Sequence, residues 1–584
     1  MQSIIGVIKH NLLQAIQAAV PVTEPIIVTP AAAKFKTDFI SPIALAIFNK
    51  HKKEGCFGFK NPQELAQAIS SHITQNEVIQ SIEVAGNGFL NIHIQPEYLA
   101  SLIHSISASG KLQVNLNVER QKVLVDFSSP NIAKEMHVGH LRSTIIGDAI
   151  CRCLEFLGHE VLRTNHLGDW GTQFGMLLTY LNDTYPDWET NAPDISDLET
   201  FYKAAKGRFD QEPEFKERSR LKVVDLQGGE ENAIKAWKYI YKVSRDYLQI
   251  IYDRLDIKIE DCGESFYNPM LPGITQELVE KGFAVQSEGA LCFHVPGFEL
   301  PLMVQKSDGG YGYDSTDLAA AKYRLLDLGV KRAIYVTDMG QNPHFLTIFE
   351  AAKLIGWHRP PETRMDHAGF GVVLGEDGKK FKTRSGESVK LITLLDEAHS
   401  RAKEQLLKRS NEPEIGQQTH LNPSDFENAA EAIGVSAIKY YDLKQNRIST
   451  YEFSFDRMLD PRGNTAVYLI YAYARICSIL DKAGQEAVSA ALGSPCILTA
   501  SQERALALWI CRFPDTLETV IEELSLNKLC DLIYEVTTKF SEFYSNCKVI
   551  GSPEQASRLQ LCLATKFMLL ESFTLLGIKP LERI

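Results

Sequence analysis

Apolar residues recur along the chain with two different periods. Ile5, Ile8, Leu12 and Ile16 mark a leading amphipathic helix. Ile26-Ile27-Val28 reads as a strand, and Asn61-Pro62 opens a helix with proline at its first position. Ile82-Glu83-Val84, the turn Gly86-Asn87-Gly88 and Phe89 to Ile94 predict a β-hairpin. Together these predict a small α/β module over residues 1–110. From 111 to 400, short apolar runs alternate with amphipathic helices, the pattern of a doubly wound parallel sheet. Lys122-Val123-Leu124-Val125 is one such run. Ile145, Ile146, Ala149, Ile150, Cys153, Leu154 and Leu157 follow at helical spacing, with Gly158 as a C-terminal cap. Val161 to Thr164, Ile257 to Ile259 and Arg332 to Val336 are further strands. Residues 176–255 are polar and helical, an insertion between the two halves of the sheet. From 388 to 584 the pattern is almost wholly helical, with a long loop expected over 411–428 and a helix bundle from Asn464 onward.

A length of 584 residues gives room for three or four domains, and 45% hydrophobic with 23% charged residues is ordinary for a soluble globular protein. Lys9, His10 and Asn11 interrupt the first twenty residues, which therefore do not read as a signal peptide. No apolar run reaches the roughly 18 residues needed to cross a bilayer. The 11 cysteines are odd in number and scattered, which points to reduced thiols in a cytosol. Cys151 and Cys153 do not face each other on a helix, so no bound metal is expected. The net charge of −12 argues mildly against a nucleic-acid binder, but a large protein can carry a basic face. It also suits a cationic small substrate.

The chemistry concentrates between Asp126 and His140. A strand, a loop and a helix are predicted there, with His137-Val138-Gly139-His140 in the first helical turn. That turn is expected to leave backbone N–H groups free for phosphate. Gly139 would let a flat base lie against the backbone. His137 and His140, three apart on one face, could donate hydrogen bonds to the charge that develops on an attacked phosphate. A second glycine-rich turn, Asn165 to Gly175, contains Gly168 and Asp169 and follows a strand, where such sheets hold ligands. Lys379 to Arg384 is a basic loop leaving the turn Glu376-Asp377-Gly378, which in isolation reads as a solvated cationic turn. Asp126, Asn131, Tyr313, Asp317 and Gln341 are expected at or just beyond the carboxyl ends of strands. Carboxylates with amide and phenol oxygens suit a guanidinium, which has five donors and no acceptor.

The run Ser129-Pro130-Asn131-Ile132-Ala133-Lys134-Glu135-Met136-His137-Val138-Gly139-His140-Leu141-Arg142-Ser143-Thr144 closely resembles the HIGH signature of class I aminoacyl-tRNA synthetases, in the form found in arginyl-tRNA synthetases of bacterial type. Asn165 to Gly175 is similar to that family's His-x-Gly-Asp-Trp-Gly-x-Gln loop. Asp38-Phe39 and Gly86 to Ile92 are similar to its N-terminal additional domain, and the stretch from Asn464 resembles its anticodon-binding helical domain. The resemblance covers essentially the whole chain. It implies an α/β Rossmann-like catalytic domain with a small α/β N-terminal domain and an all-α C-terminal bundle. The implied division is 1–110, 111–400 with an insertion at about 176–255, 401–455 as a helical connection, and 456–584 for the anticodon.

The same resemblance implies a cytoplasmic, monomeric arginine–tRNA ligase that uses ATP with Mg²⁺, L-arginine and tRNA(Arg), without a membrane. Catalytic roles fall on His137, His140, Lys134, Lys380 and Lys382. ATP is expected at His137, Gly139, His140, Gly168, Asp169 and Phe381. Arginine is expected at Asp126, Ser129, Asn131, His140, Tyr313, Asp317 and Gln341. By position the basic loop matches the family's KMSKS loop, yet Thr383 stands where its second lysine belongs. Lys134 is the implied substitute; by itself it reads as a loop charge paired with Glu135. Phe540, Phe543 and Tyr544 could stack on splayed bases, or be core. Two other readings stay open: another class I synthetase, such as that for cysteine, and a non-catalytic tRNA-binding paralogue. The absence of zinc-type Cys/His spacing stands against the first, and the intact His137, Gly139 and His140 against the second.

Overall fold

The computed structural model of the chain describes every residue except 32–34, 74–75, 117, 192, 194–197, 380–388 and 411–424. Its centre is a five-stranded parallel sheet in the order Arg364–His367, Arg332–Tyr335, Lys122–Asp126, Glu160–Asn165, Glu260–Asp261. Lys122–Asp126 is the middle strand. Val123 and Val125 face one core and Leu124 the other, which is why the run is apolar without alternation. The next strand in sequence lies on one side of it and Arg332–Tyr335 on the other. The chain therefore reverses its direction of winding at Asp126, where open sheets form their ligand crevice.

The helix after this strand, Val138–Phe156, is buried on nearly every face. It is covered by the sheet on one side and by C-terminal helices on the other. The buried pair Arg142–Asp442 at 2.8 Å and the edge-on contact Phe156–Phe513 at 6.0 Å fasten that joint. The insertion is helical as its polarity predicts, over Thr172–Thr184, Leu198–Gln211, Pro213–Gln227 and Glu231–Arg254. A three-stranded antiparallel sheet, from Ala284 to Gln305, precedes the helix Tyr313–Lys322.

The N-terminal module is a four-stranded antiparallel sheet with helices, including Ile4–Ala19 and Pro62–Ser71. Asn61 caps the second of these by accepting from Glu64 N, as Asn-Pro predicts. The module packs on the C-terminal bundle through Asp38–Arg504 at 2.6 Å and through Ile5 N donating to Asp515 at 3.1 Å.

Several local expectations change. Ile26 to Val28 carries no strand, and Ile27 is 55% exposed; the pairing begins instead at Thr29–Pro30. Val373–Leu374 pairs in parallel with Tyr451–Glu452, far along the chain. Helix Phe426–Leu443 starts inside the segment expected as a loop; residues 411–424 of that segment lie outside the described residues. Gln555–Leu576 is long and apolar enough to cross a membrane by length and composition, but 72% of its apolar window is buried, the position of a bundle-core helix. Phe540 and Phe543 are core residues, whereas Tyr544 is 45% exposed.

Candidate active site

The loop leaving Asp126 is held in an uncommon backbone shape. Ser128, Ser129 and Ala133 have φ of 69°, 48° and 61°, left-handed values that cost residues with a Cβ about 1–3 kcal/mol each. Partners distant in sequence hold them there. Ser128 N donates to Ser143 Oγ at 2.9 Å, Ser129 N to Asn165 Oδ1 at 3.0 Å, and Ala133 N to Ser244 Oγ at 3.0 Å. Ser128 Oγ also meets Tyr252 OH at 2.7 Å. Ser244 and Tyr252 both come from the insertion helix Glu231–Arg254, so the insertion braces the loop.

His137 is the N-cap of the following helix. Its Nδ1 accepts from Gly139 N at 3.0 Å, and its own N–H donates to His140 Nδ1 at 3.1 Å. The two rings lie 4.0 Å apart. This corrects the expectation of free backbone donors, because the imidazoles satisfy the N–H groups of His137 and Gly139. The consequence is chemical. Burial and Lys134 lower the His137 pKa, and burial, His137 and Lys134 lower that of His140 to about 3, so both rings are neutral at neutral pH. A neutral ring that accepts at Nδ1 carries its proton on Nε2. Two Nε2–H donors are thus presented side by side, neither with a partner among the described residues. Gly139 is required for this arrangement, since a Cβ there would meet His137 Cε1 at 2.9 Å.

Gly168 and Asp169 serve the loop's architecture. A Cβ on Gly168 would stand 2.2 Å from Asn131 Oδ1, and Ile132 N donates to Gly168 O at 3.1 Å. Asp169 is 2% exposed, and its carboxylate accepts from Ser265 N at 2.9 Å and Ser265 Oγ at 2.6 Å. Its side chain ties its own loop to the short helix Glu264–Tyr267.

Lys134 does not pair with Glu135. Its Nζ lies 5.0 Å above the ring of Tyr202, with no carboxylate partner among the described residues, while Glu135 binds Lys390 at 2.8 Å. Lys380, Phe381, Lys382 and Thr383 lie outside the described residues. The chain on their far side returns beside the histidines: Lys390 bridges His137, and Leu391 N donates to Met136 O at 2.8 Å.

An acidic crevice adjoins this turn. Tyr313 and Asp317 are supplied by the first turns of helix Tyr313–Lys322, which follows the antiparallel sheet, and not by an end of a central strand. Tyr313 is 67% exposed. Asp317 Oδ2 contacts His344 Nε2 at 2.7 Å, which leaves Oδ1 without a partner among the described residues. Burial lowers the His344 pKa, but the hydrogen bond to Asp317 and the charges of Asp317 and Asp314 raise it overall. Gln341, exposed, precedes the helix that carries His344. Asp126 lies in the same crevice but is bound to Arg324 at 2.7 Å and accepts from Ser129 Oγ at 3.0 Å. Sequence reasoning missed Arg324, His344 and Glu264. Burial, then Asp317 and Asp169, push the Glu264 carboxyl up to about 7. No motif marks these three, because only the fold brings them to Asp317 and Asp126.

A second depression lies in the C-terminal bundle. It has a volume of about 840 Å³ and is lined by Tyr468, Tyr471, Arg475, Lys482, Tyr544 and Arg583, among others.

Comparison with known proteins accords with this geometry. The family model for class I tRNA synthetases (R), catalytic domain, matches residues 102–455. Those for the arginyl tRNA synthetase N terminal domain and the DALR anticodon binding domain match 6–94 and 469–584. The chain is 46% identical to the cytoplasmic arginine–tRNA ligase of Xenopus tropicalis, over 98% of this chain and 87% of that protein. It is 45% identical to the arginine–tRNA ligase of Thermosynechococcus vestitus, over 99% of both. These near-equal identities do not favour a bacterial type. The crystal structure of arginyl-tRNA synthetase from Plasmodium falciparum superposes with a TM-score of 0.89 at 38% identity, covering 100% of both chains. With the signature turn, the braced loop and all three domain models in place along its length, the chain belongs to the arginyl-tRNA synthetase family.

Proposed function

We infer that this chain is an arginine–tRNA ligase. Arginine is activated by ATP to arginyl-adenylate and then transferred to the terminal adenosine of tRNA. The observation that carries this reading is an acidic crevice, with one Asp317 oxygen uncommitted beside Glu264, at the same sheet edge as two imidazole Nε2–H donors. The arginine carboxylate attacks the α-phosphate of ATP–Mg²⁺ and pyrophosphate leaves. No side chain acts as nucleophile; catalysis is positioning and charge stabilisation. His137 and His140 donate to the phosphate oxygens, with Gly139 shaping the turn. Ser129, Asn131 and His140 hold the main-chain end of arginine; Asp317, Glu264, Tyr313 and Gln341 hold its guanidinium. Family resemblance adds Lys380, Phe381 and Lys382 at the nucleotide. Charging bulk tRNA with each amino acid in turn tests the whole reading: arginine alone should support it, and efficient use of another amino acid overturns it.

The tRNA is placed over the C-terminal groove, where tyrosines interleave with Arg475, Lys482 and Arg583, a chemistry suited to single-stranded bases and phosphates. The divisions at about 110, 400 and 455 are carried over as the working domain boundaries. The vertebrate relative's name supports a cytoplasmic location; a monomer acting without a membrane remains the working state.

Two predictions arise here. Lys134→Ala should lower the single-turnover adenylation rate about 10²-fold, as for loss of one preorganised charge, with little change in arginine affinity. Lysine at position 383 in that background should recover part of the loss. An unchanged rate in Lys134→Ala removes Lys134 from the mechanism.

The second prediction concerns pH. With Glu264 at about 7, the folded enzyme holds a proton that the unfolded chain has lost, so this group's contribution to stability falls as pH rises from the ordinary carboxylate range to about 7. A bound guanidinium should reverse the preference and expel the proton. Arginine affinity should therefore strengthen with pH across this region, by at most about tenfold per pH unit. Calorimetry in buffers of different ionisation enthalpy should detect proton release near pH 6.5 that Glu264→Gln abolishes. Binding without proton release would show that Glu264 does not meet the ligand.

A further inference from the structure

Asp126 differs from the other carboxylates of the crevice in its partner, which is the chain's own guanidinium. Arg324 Nη2 stands 2.7 Å from Asp126 Oδ2, with the two side chains 1% and 8% exposed. Arg324 belongs to a π-helical turn, Tyr323–Asp327, that continues helix Tyr313–Lys322. The wider turn re-aims side chains relative to an α-helical continuation, and such turns concentrate at functional sites. Here it sends Arg324 to the carboxyl edge of the sheet. Its guanidinium lies 5.1 Å from the Tyr335 ring centroid, and Nη2 is 3.4 Å from His166 Nδ1. Nε and Nη1 are buried without partners, so Asp126 is its charge partner among the described residues. The other oxygen of Asp126 accepts from Ser129 Oγ at 3.0 Å, inside the left-handed stretch of the loop.

We infer that Arg324 is a positioning residue for amino-acid activation: it fixes Asp126 as the anchor of the Ser129 loop and withdraws that carboxylate from ligand recognition. Both Asp126 oxygens are committed inside the protein. A ligand guanidinium that displaced Arg324 would strand a fully buried cation, a cost larger than the new pair returns. The ligand is then read by Asp317 and Glu264, on the open side of the crevice. This inference rests on the arginine reading of the site.

The decisive variant removes both charges at once. Asp126→Asn alone strands Arg324, and Arg324→Met alone strands Asp126, so each single variant should melt below wild type or fail to accumulate. The double variant Asp126→Asn/Arg324→Met should melt above both. By equilibrium dialysis, it should bind arginine within about threefold of wild type, whereas Asp317→Asn should weaken binding about 10²-fold or more. Its adenylation kcat should fall about 10–100-fold, because Ser129 loses a fixed acceptor and the reacting ends lose alignment. An arginine Kd in the double variant as poor as that of Asp317→Asn would show that Asp126 reads the ligand and overturn the inference. So would a double variant no more stable than the singles, or one with wild-type kcat. Failure of the wild-type enzyme to bind arginine overturns the functional reading itself, and this inference with it.

Discussion

Replacing Asp317 with Ala should raise the arginine KM for adenylation by roughly 10²–10³-fold, the largest single loss expected in the acidic crevice. The carboxylate is one-fifth exposed, and His344 already occupies Oδ2 at 2.7 Å. A guanidinium must therefore be met through Oδ1, with Glu264 as the second anion. Removing Asp317 leaves a desolvated guanidinium without its nearest counter-charge, a loss of roughly 3–5 kcal/mol for buried pairs. The partial exposure of Asp317 and its sharing with His344 place the expected effect toward the lower end. The same geometry predicts discrimination. Lysine ends in one compact ammonium and cannot span Asp317 and Glu264 as a planar fork can. Wild-type enzyme should form no lysyl-adenylate at a useful rate. His344→Gln should change KM far less than Asp317→Ala, because the histidine orients a carboxylate and carries no obligatory charge. A KM for Asp317→Ala within tenfold of wild type, or efficient activation of lysine, would remove this residue from recognition.

His137→Ala and His140→Ala should each lower the adenylation kcat by roughly 10²–10³-fold, as for loss of one preorganised donor to a developing oxyanion. Arginine KM should hardly move in His137→Ala, whose ring is assigned to phosphate alone, and should rise in His140→Ala, whose ring is also assigned to the main-chain end of arginine. Each histidine also satisfies a backbone N–H, so alanine should cost about 0.5–2 kcal/mol of stability as well. His137→Asn separates the two roles. Asparagine is a good N-cap and can still accept from the backbone, but it lacks the Nε2–H. It should melt like wild type and remain slow. Full activity in His137→Asn would show that the ring's contribution is capping alone. The pH dependence has a defined sign. The unfolded chain protonates these histidines near 6.5, whereas folded His140 resists protonation down to about 3. Stability should therefore rise with pH across that window, and His140→Ala should flatten the rise.

Much of the architecture is legible in the chain because it is local. Apolar runs and 3.6-residue spacing set the strand before Asp126 and the helix after His137. Polarity sets the helical insertion, and Asn61-Pro62 sets a helix start. The signature run identifies its own strand–loop–helix context, and with it the family. Local pattern fails where packing assigns roles. Ile26 to Val28 is apolar enough for a strand but finds no partner strand, and of three helically spaced aromatics the bundle buries Phe540 and Phe543 while leaving Tyr544 exposed. The sequence by itself also determined which residue types the crevice contains: carboxylates, amides and two histidines. Only the tertiary structure decided what each one faces. The π-helical turn that delivers Arg324 separates Asp126 from Asp317, although both are aspartates at the same sheet edge. Backbone N–H groups given to Nδ1 atoms place the imidazole protons on Nε2. The physical reason is common to all of these. Charge pairing and proton position depend on the nearest few ångströms in space, and those neighbours come from distant parts of the chain.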